Sequence, residues 1–244
     1  MSNTIDLESI PRVFGETAAS SADLGYDPKY LDYLDNHFLE LIAKRKLQGA
    51  SYILSRRGRI FANKSIGFLR YEGDAPLLPD SIRSLASLTK LFTAVAVLRL
   101  YELGKLDLCE NVSRYVPEFA TDMHSGITLF QLLTHTSGMR GDEGYFLEPY
   151  PFDPCFRKGA KWLKYVLQGP LQAAPGESWI YSSIGFMILG LVVERASGED
   201  FEDRITRTIL EPLKMSRTSF RPSEALWPEI CVASAEEEGL MPKI

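Results

Sequence analysis

Side chains that bind metals or form disulfides are scarce in this chain. Its three cysteines (Cys109, Cys155, Cys231) and three histidines (His37, His124, His135) are scattered over 244 residues. None shares a metal-ligand spacing, and three distant cysteines set up no paired disulfide framework. No metal and no cofactor is therefore expected. There is no long basic run and the net charge is −5, which argues against a nucleic-acid surface. The most apolar run, Leu91 to Leu103, is interrupted by Arg99 and Glu102 and is too short to span a bilayer. Met1 to Pro11 is polar and acidic, without the basic start and apolar stretch of a signal peptide. These absences together predict a soluble, cytoplasmic protein with no membrane span. No internal repeat or low-complexity stretch stands out.

What remains is ordinary globular material, 45% hydrophobic and 24% charged, enough for one large domain or two small ones. Residues 1–25 read as a loose lead-in. Asp27 and Pro28 open a helix with Leu31, Leu34, Phe38, Leu41 and Ile42 at helical spacing, running to Gly49. Residues 50–55 and 59–66 flank Arg57-Gly58 as a hairpin. From 71 to 220 the chain reads as helix and loop. Helices are expected over 87–103 (stopped by Gly104), from a Thr128/Gln131 capping box to Leu133, near 159–168, over 183–197 (stopped by Gly198), and over 199–210. Aromatics Tyr145, Phe146, Tyr150, Phe152 and Phe156 crowd a Gly/Pro-rich stretch, 137–160, as loop packing or as a cleft wall. An isolated two-stranded hairpin is marginal in water, so this one needs partner strands. Residues 221–244 offer a weak candidate around Ile230-Cys231-Val232.

Ser87-Leu88-Thr89-Lys90 sits at the mouth of a helix that is apolar almost all the way round. Residues three apart share a helix face, so the Lys90 amine falls beside the Ser87 hydroxyl. A serine hydroxyl needs such a neighbour to become a nucleophile near neutral pH. Backbone N–H groups of the first turn can stabilise negative charge. The motif alone is weak: such a pair arises about once by chance in a chain of this length, and this chain holds one. The plain alternative is an N-capping serine with a solvated lysine on the next turn.

Several further segments, in order, decide between these. They are Gly104-Lys105-Leu106-Asp107-Leu108 with Val112 to Pro117, Leu132-Leu133-Thr134-His135-Thr136-Ser137-Gly138-Met139, Pro175-Gly176 followed by Tyr181-Ser182-Ser183, and Leu213-Lys214-Met215 with Thr218 and Phe220. With Ser87-Leu88-Thr89-Lys90, they resemble the serine β-lactamase-like hydrolases. That family includes class C β-lactamases, D-alanyl-D-alanine carboxypeptidases and related esterases. The resemblance implies an α+β fold, an α/β sandwich plus a helical region, and an acyl-enzyme reaction on a small-molecule acyl substrate. It implies Ser87 as nucleophile, Lys90 as its proton-network partner, and Tyr181 as base and then acid. Ser183 would contact substrate. His135 belongs to the loop signature, which implies a hydrogen-bonding role in the turn before Gly138 and not that of a base.

Two departures shape the expectation. The family's tyrosine motif usually reads Tyr-Ser-Asn, and here its third residue is Ser183. A serine cannot present an amide oxygen and an NH2 together, which favours esters over β-lactams. Second, the family's Lys-Thr-Gly or His/Lys-x-Gly motif has no counterpart in a suitable place. The expected organisation is thus a lead-in (1–25), a helix and hairpin of the α/β region (26–70), a helical region (71–220), and a tail (221–244) leading toward strands that are missing, so that the sheet is incomplete. Half the oxyanion hole would be missing with them, the other half being the Ser87 N–H. Hence a second expectation stands beside the serine hydrolase: a truncated or degenerate non-catalytic member acting as a binding or interaction module. An unpaired hairpin edge would also favour self-association.

Overall fold

The computed structural model describes residues 4–142, 162–167 and 169–233, and the chain forms two compact units, each with its own core. The protein is an α+β protein. The first unit takes residues up to Ser84 together with those from Arg221 onward. Its hairpin pairs β2 (Gly49–Arg56) with β3 (Arg59–Gly67). Arg57 and Gly58 both have positive φ, the geometry of a tight turn whose twist matches the strands it joins.

The hairpin does have a partner strand, but in a place that was not expected. β1 (Arg12–Phe14) lies in the lead-in and pairs antiparallel with β3, Val13 opposite Ser65. The sheet order is therefore β1-β3-β2, and β3 is its centre. Three residues are too few to show an alternating pattern, so β1 is set by its pairing and by no local signal. Ile230 and Val232 form only isolated bridges, to Ile82 and Arg70.

Helix α1 (Lys29–Ala43) covers the sheet with Leu39, Ile42 and Ala43, which are buried with Ile10 and Ile66. Asp27 accepts from the Lys29 N–H at 3.0 Å, capping the first turn. The helix stops well short of Gly49. Arg45 takes φ +52, its N–H bonds to Ile42 O, and the Lys46 N–H reaches back to Leu41 O at 2.9 Å. This is a Schellman stop with arginine where glycine usually stands.

The second unit spans Leu85–Phe220. Its helices are α2 (Thr89–Glu102), α3 (Leu129–Leu133), α4 (Trp162–Val166), α5 (Ser183–Ser197) and α6 (Phe201–Ile205). α6 widens into a π-helical turn, Thr206–Leu210, where a plain helix was expected. The capping box at Thr128 and Gln131 is present in both directions. Glycines with positive φ, Gly104 and Gly198, end α2 and α5. The aromatic cluster expected over 137–160 lies outside the described residues, as do the first residues of the helix expected near 159–168.

The main packing in this unit is α2 against α5. Ala96, Val97 and Leu100 of α2 and Ile184, Ile188, Leu189, Val192 and Val193 of α5 are buried in one cluster. Burying each large aliphatic side chain contributes about 1.5–3 kcal/mol before the entropy of ordering it is counted. Together these contacts fix the N-terminal ends of two helices whose sequences lie far apart.

Arg195 of α5 forks onto Glu118 with two hydrogen bonds, 2.7 and 2.8 Å. Those bonds hold the Glu118 carboxyl at about 2, below its ordinary 4.5. A depressed carboxyl stabilises the fold above its unfolded pKa and loses that contribution as pH falls through its folded value. The stabilisation is thus complete above about 4.5 and fades toward pH 2. Because both side chains are well exposed, its size is about 0.2–1 kcal/mol. Arg195→Ala should lower the melting temperature at pH 7 by no more than about 4 °C and flatten its fall between pH 4.5 and 2. A variant whose acid limb matched the wild type would refute this assignment.

Candidate active site

Ser87 lies in a single 3-10 turn, Ala86–Leu88, that leads into α2. It caps nothing: neither this turn nor α2 has a side-chain N-cap bond. The preceding Ala86 has φ +44, a left-handed conformation that costs a residue with a β-carbon about 1–2 kcal/mol. That kink leaves Ser87 exposed to solvent. Lys90, one turn on, is partly buried.

α5 supplies the other groups. Ser182 is its N-cap, accepting from the Gly185 N–H, and is itself buried. Tyr181 therefore stands just outside the helix, and Ser183 is its first residue. All four side chains expected at a site, Ser87, Lys90, Tyr181 and Ser183, come together here. Lys90 Nζ donates to Ser87 Oγ at 3.1 Å and to Ser183 Oγ at 3.0 Å. Tyr181 Oη donates to the same Ser87 Oγ at 2.8 Å. The ammonium also sits 4.7 Å from the centroid of the Tyr181 ring and 5.9 Å from that of Phe186.

The electrostatics follow from that geometry. The hydrogen bond from the Lys90 ammonium, then that with Ser87, pulls the Tyr181 phenol below its ordinary value of 10.0, while burial and the Asp142 charge push the other way. Phenolate is therefore more accessible at Tyr181 than at an isolated tyrosine.

His135 also stands close, but its ring is occupied. Its Nδ1 accepts from the Ser182 N–H at 3.1 Å, and its carbonyl accepts from the Ile180 N–H at 2.8 Å. The ring lies 4.6 Å from that of Tyr181 and 5.2 Å from that of Phe186, centroid to centroid. Two further ties run beside it: Gly176 N–H to Thr136 O at 2.7 Å and Gln172 N–H to Gly138 O at 2.8 Å. The segment 135–141 is thereby strapped along 172–182. Gly138 is required here, with φ +74 and a would-be β-carbon only 2.0 Å from Ala173 O.

At the end of this strap stands Asp142, a residue that sequence reasoning passed over. It accepts from the Ser183 N–H and, at 2.7 Å, from the Ser183 hydroxyl. Nothing in the spacing of the motifs marks it, because the loop that delivers it carries no periodicity. Among the described residues no cluster of three or more His, Cys, Asp or Glu side chains could hold a metal ion, and no helix is long and apolar enough to cross a membrane.

Residues 34–230 match the β-lactamase family model. This chain belongs to the β-lactamase family. Esterase EstB of Burkholderia gladioli is 34% identical over 207 residues, covering 78% of this chain and 52% of that protein. Protein flp of Staphylococcus aureus (strain N315) is 30% identical over 197 residues, covering 78% of this chain and 38% of its own length. Among solved structures, the octameric penicillin-binding protein homologue from Pyrococcus abyssi superposes with a TM-score of 0.70 at 28% identity, over 83% of this chain and 47% of its own. A class C β-lactamase does so with a TM-score of 0.72 at 24% identity, over 83% and 54%; this likeness concerns the fold. The chain spans about half or less of the length of these relatives.

His135 yields a test of the site's internal order. Burial, and then the Lys90 charge, hold its pKa below 6.5, with Asp142 opposing. The folded state thus prefers neutral imidazole, whose Nδ1 lone pair accepts the Ser182 N–H. A depressed histidine contributes stability above its unfolded pKa and loses it as pH falls through the folded one. The NMR titration of His135 should therefore have its midpoint below 6.5, with thermal stability declining over the same interval. A midpoint above 6.5 would show that the ring is not held as an acceptor.

Proposed function

We propose that this protein is a serine hydrolase that works through an acyl-enzyme on Ser87, with small esters preferred over D-amino-acid peptides and β-lactams. The observation that carries the reading is convergence: an ammonium and a phenol, from Lys90 and Tyr181, both donate to Ser87 Oγ. An ordinary surface serine would meet water.

The chemistry follows from where the protons lie. In the phenolate form, Tyr181 takes the Ser87 proton as Oγ attacks the substrate carbonyl, and Lys90 stabilises the phenolate through its charge. The tetrahedral intermediate collapses when Tyr181 returns that proton to the leaving alkoxide. Water, activated by the same phenolate, then resolves the ester on Ser87. Lys90 is better suited to the role of fixed cation than to that of base, because its N–H groups point at Ser87 and Ser183 oxygens.

Three features support esters. Ser183 stands where the family's asparagine would offer a substrate an amide. Asp142 adds a negative charge beside Ser183, which disfavours the carboxylates that β-lactams and acyl-D-alanine peptides carry. The 34% identical relative is itself named an esterase.

Fluorophosphonate labelling followed by peptide mapping tests the nucleophile. Ser87→Ala should abolish labelling, a loss of at least about 10³-fold. Lys90→Ala and Tyr181→Phe should each slow it by about 10²–10⁴-fold, with the double variant little worse than the worse single, since residues acting as a unit give non-additive losses. Multiplying effects would break the shared proton network, and labelling that persists without Ser87 would refute the assignment. A wild-type chain that takes no label would leave the non-catalytic, binding-module reading standing.

Substrate preference is a separate measurement. A nitrophenyl ester should be turned over faster than a chromogenic cephalosporin at equal concentration. The reverse order would overturn the ester preference and leave the nucleophile untouched.

A further inference from the structure

The geometry points to Asp142 as a positioning residue for Lys90, acting through the hydroxyl of Ser183. The inference rests on the hydrolase reading for its consequence in rate, but the contact chain itself is independent of it. A serine hydroxyl carries one hydrogen and rotates freely unless an acceptor fixes it. Here both oxygens of one carboxylate serve one residue: Oδ1 takes the Ser183 N–H, and Oδ2 takes the hydroxyl proton at 2.7 Å. With its proton committed to Asp142, Ser183 Oγ turns lone pairs toward Lys90 Nζ, 3.0 Å away. The result is a one-way chain, carboxylate to hydroxyl to ammonium, in which each bond polarises the next.

This arrangement makes good what Ser183 lacks. An asparagine side chain has an oxygen that can only accept, so it can hold an ammonium unaided. A serine oxygen both donates and accepts, and becomes a dependable acceptor only when something else takes its proton. Asp142 does so because the strap brings it there: Gly138 takes its left-handed turn against 172–173, and the Gly141 N–H donates to Gln172 Oε1 at 3.3 Å. Two residues distant in sequence from each other thus do the work of one amide.

A simpler role also exists. A carboxylate on the first N–H of a helix stabilises that helix end whatever the hydroxyl does. The two roles separate in a double-mutant cycle read by the rate of fluorophosphonate labelling at Ser87. Asp142→Ala should slow labelling by about tenfold to a hundredfold, the range for a hydrogen bond to a charged group. In a Ser183→Ala background, where there is no hydroxyl to orient, the same change should add little. In a Ser183→Asn background, where the amide oxygen accepts from Lys90 directly, Asp142→Ala should cost less than about threefold. Asp142→Asn keeps one acceptor oxygen for the helix N–H and has none for the hydroxyl, so it should keep more of the wild-type thermal stability than Asp142→Ala does and still show the full labelling loss. Equal losses in all three backgrounds, or none in the wild-type one, would overturn the proposal.

Should the wild-type chain take no label, the hydrolase reading fails and a second readout decides this one. The ¹⁵N-detected signal of the Lys90 ammonium, assigned by its loss in Lys90→Ala, should be protected from exchange in the wild type. It should be lost in Asp142→Ala and restored in Asp142→Ala/Ser183→Asn. A signal unchanged in Asp142→Ala would overturn the positioning role on its own.

Discussion

A lysine ammonium that is partly withdrawn from water must find acceptors for its protons, and the geometry of the candidate site depends on how the second unit meets that need for Lys90. One acceptor, Ser87, comes from its own helix end. The other, Ser183, belongs to the first turn of α5 and is 93 residues away in sequence. Only the apolar contact between α2 and α5 brings them together. Val97 and Leu100 on one side and Ile188 and Val192 on the other are fully buried, and their packing sets where the helix N-termini stand. The charge does not build the fold; the fold supplies oxygens at the one place where the charge sits.

The loop before α5 refines that arrangement. His135 accepts a backbone proton from Ser182, which holds the ring against Tyr181 and fixes the phenol's approach to Ser87. Asp142 holds Ser183 from the other side. Asp142 and Lys90 act oppositely on the Tyr181 phenol. The Asp142 carboxylate opposes phenolate formation, whereas the Lys90 ammonium, oriented through Ser183, favours it. Because the ammonium touches the phenol directly and the carboxylate acts from beyond Ser183, the net effect on Tyr181 is downward.

Much of this was legible because it is written in local chemistry. The helical spacing of α1, the capping box at Thr128 and Gln131, the stops at Gly104 and Gly198, and the tight turn at Arg57-Gly58 all declare themselves through residues with strong conformational preferences. So does the pair Ser87 and Lys90, since three residues on a helix is a fixed distance. What was hidden lacked such residues. β1 is three residues long and is held by pairing with β3 alone. α1 ends at Arg45, a residue that does not announce a left-handed stop. The strained Ala86 has the sequence of an ordinary helix start. Asp142 reaches Ser183 because a loop is strapped to a distant segment largely by backbone bonds, and backbone bonds leave no trace in side-chain identity.

Reading a motif residue by residue therefore gives a different answer from reading it with its neighbours. Taken alone, Ser183 in place of asparagine is a loss: one rotatable group that both donates and accepts replaces an oxygen that only accepts. Taken with Asp142, the same position again presents a committed acceptor to Lys90, at the cost of a negative charge. On the proposed hydrolase reading, that charge is the difference a substrate would meet. An asparagine is neutral and offers its NH2 outward, so it suits amide-bearing acyl groups. The Asp142–Ser183 pair offers no donor outward, because the Ser183 hydroxyl proton is already taken. On the proposed hydrolase reading, a site built in this way would select for acyl groups that ask nothing of that position, and a simple ester is the plainest of them.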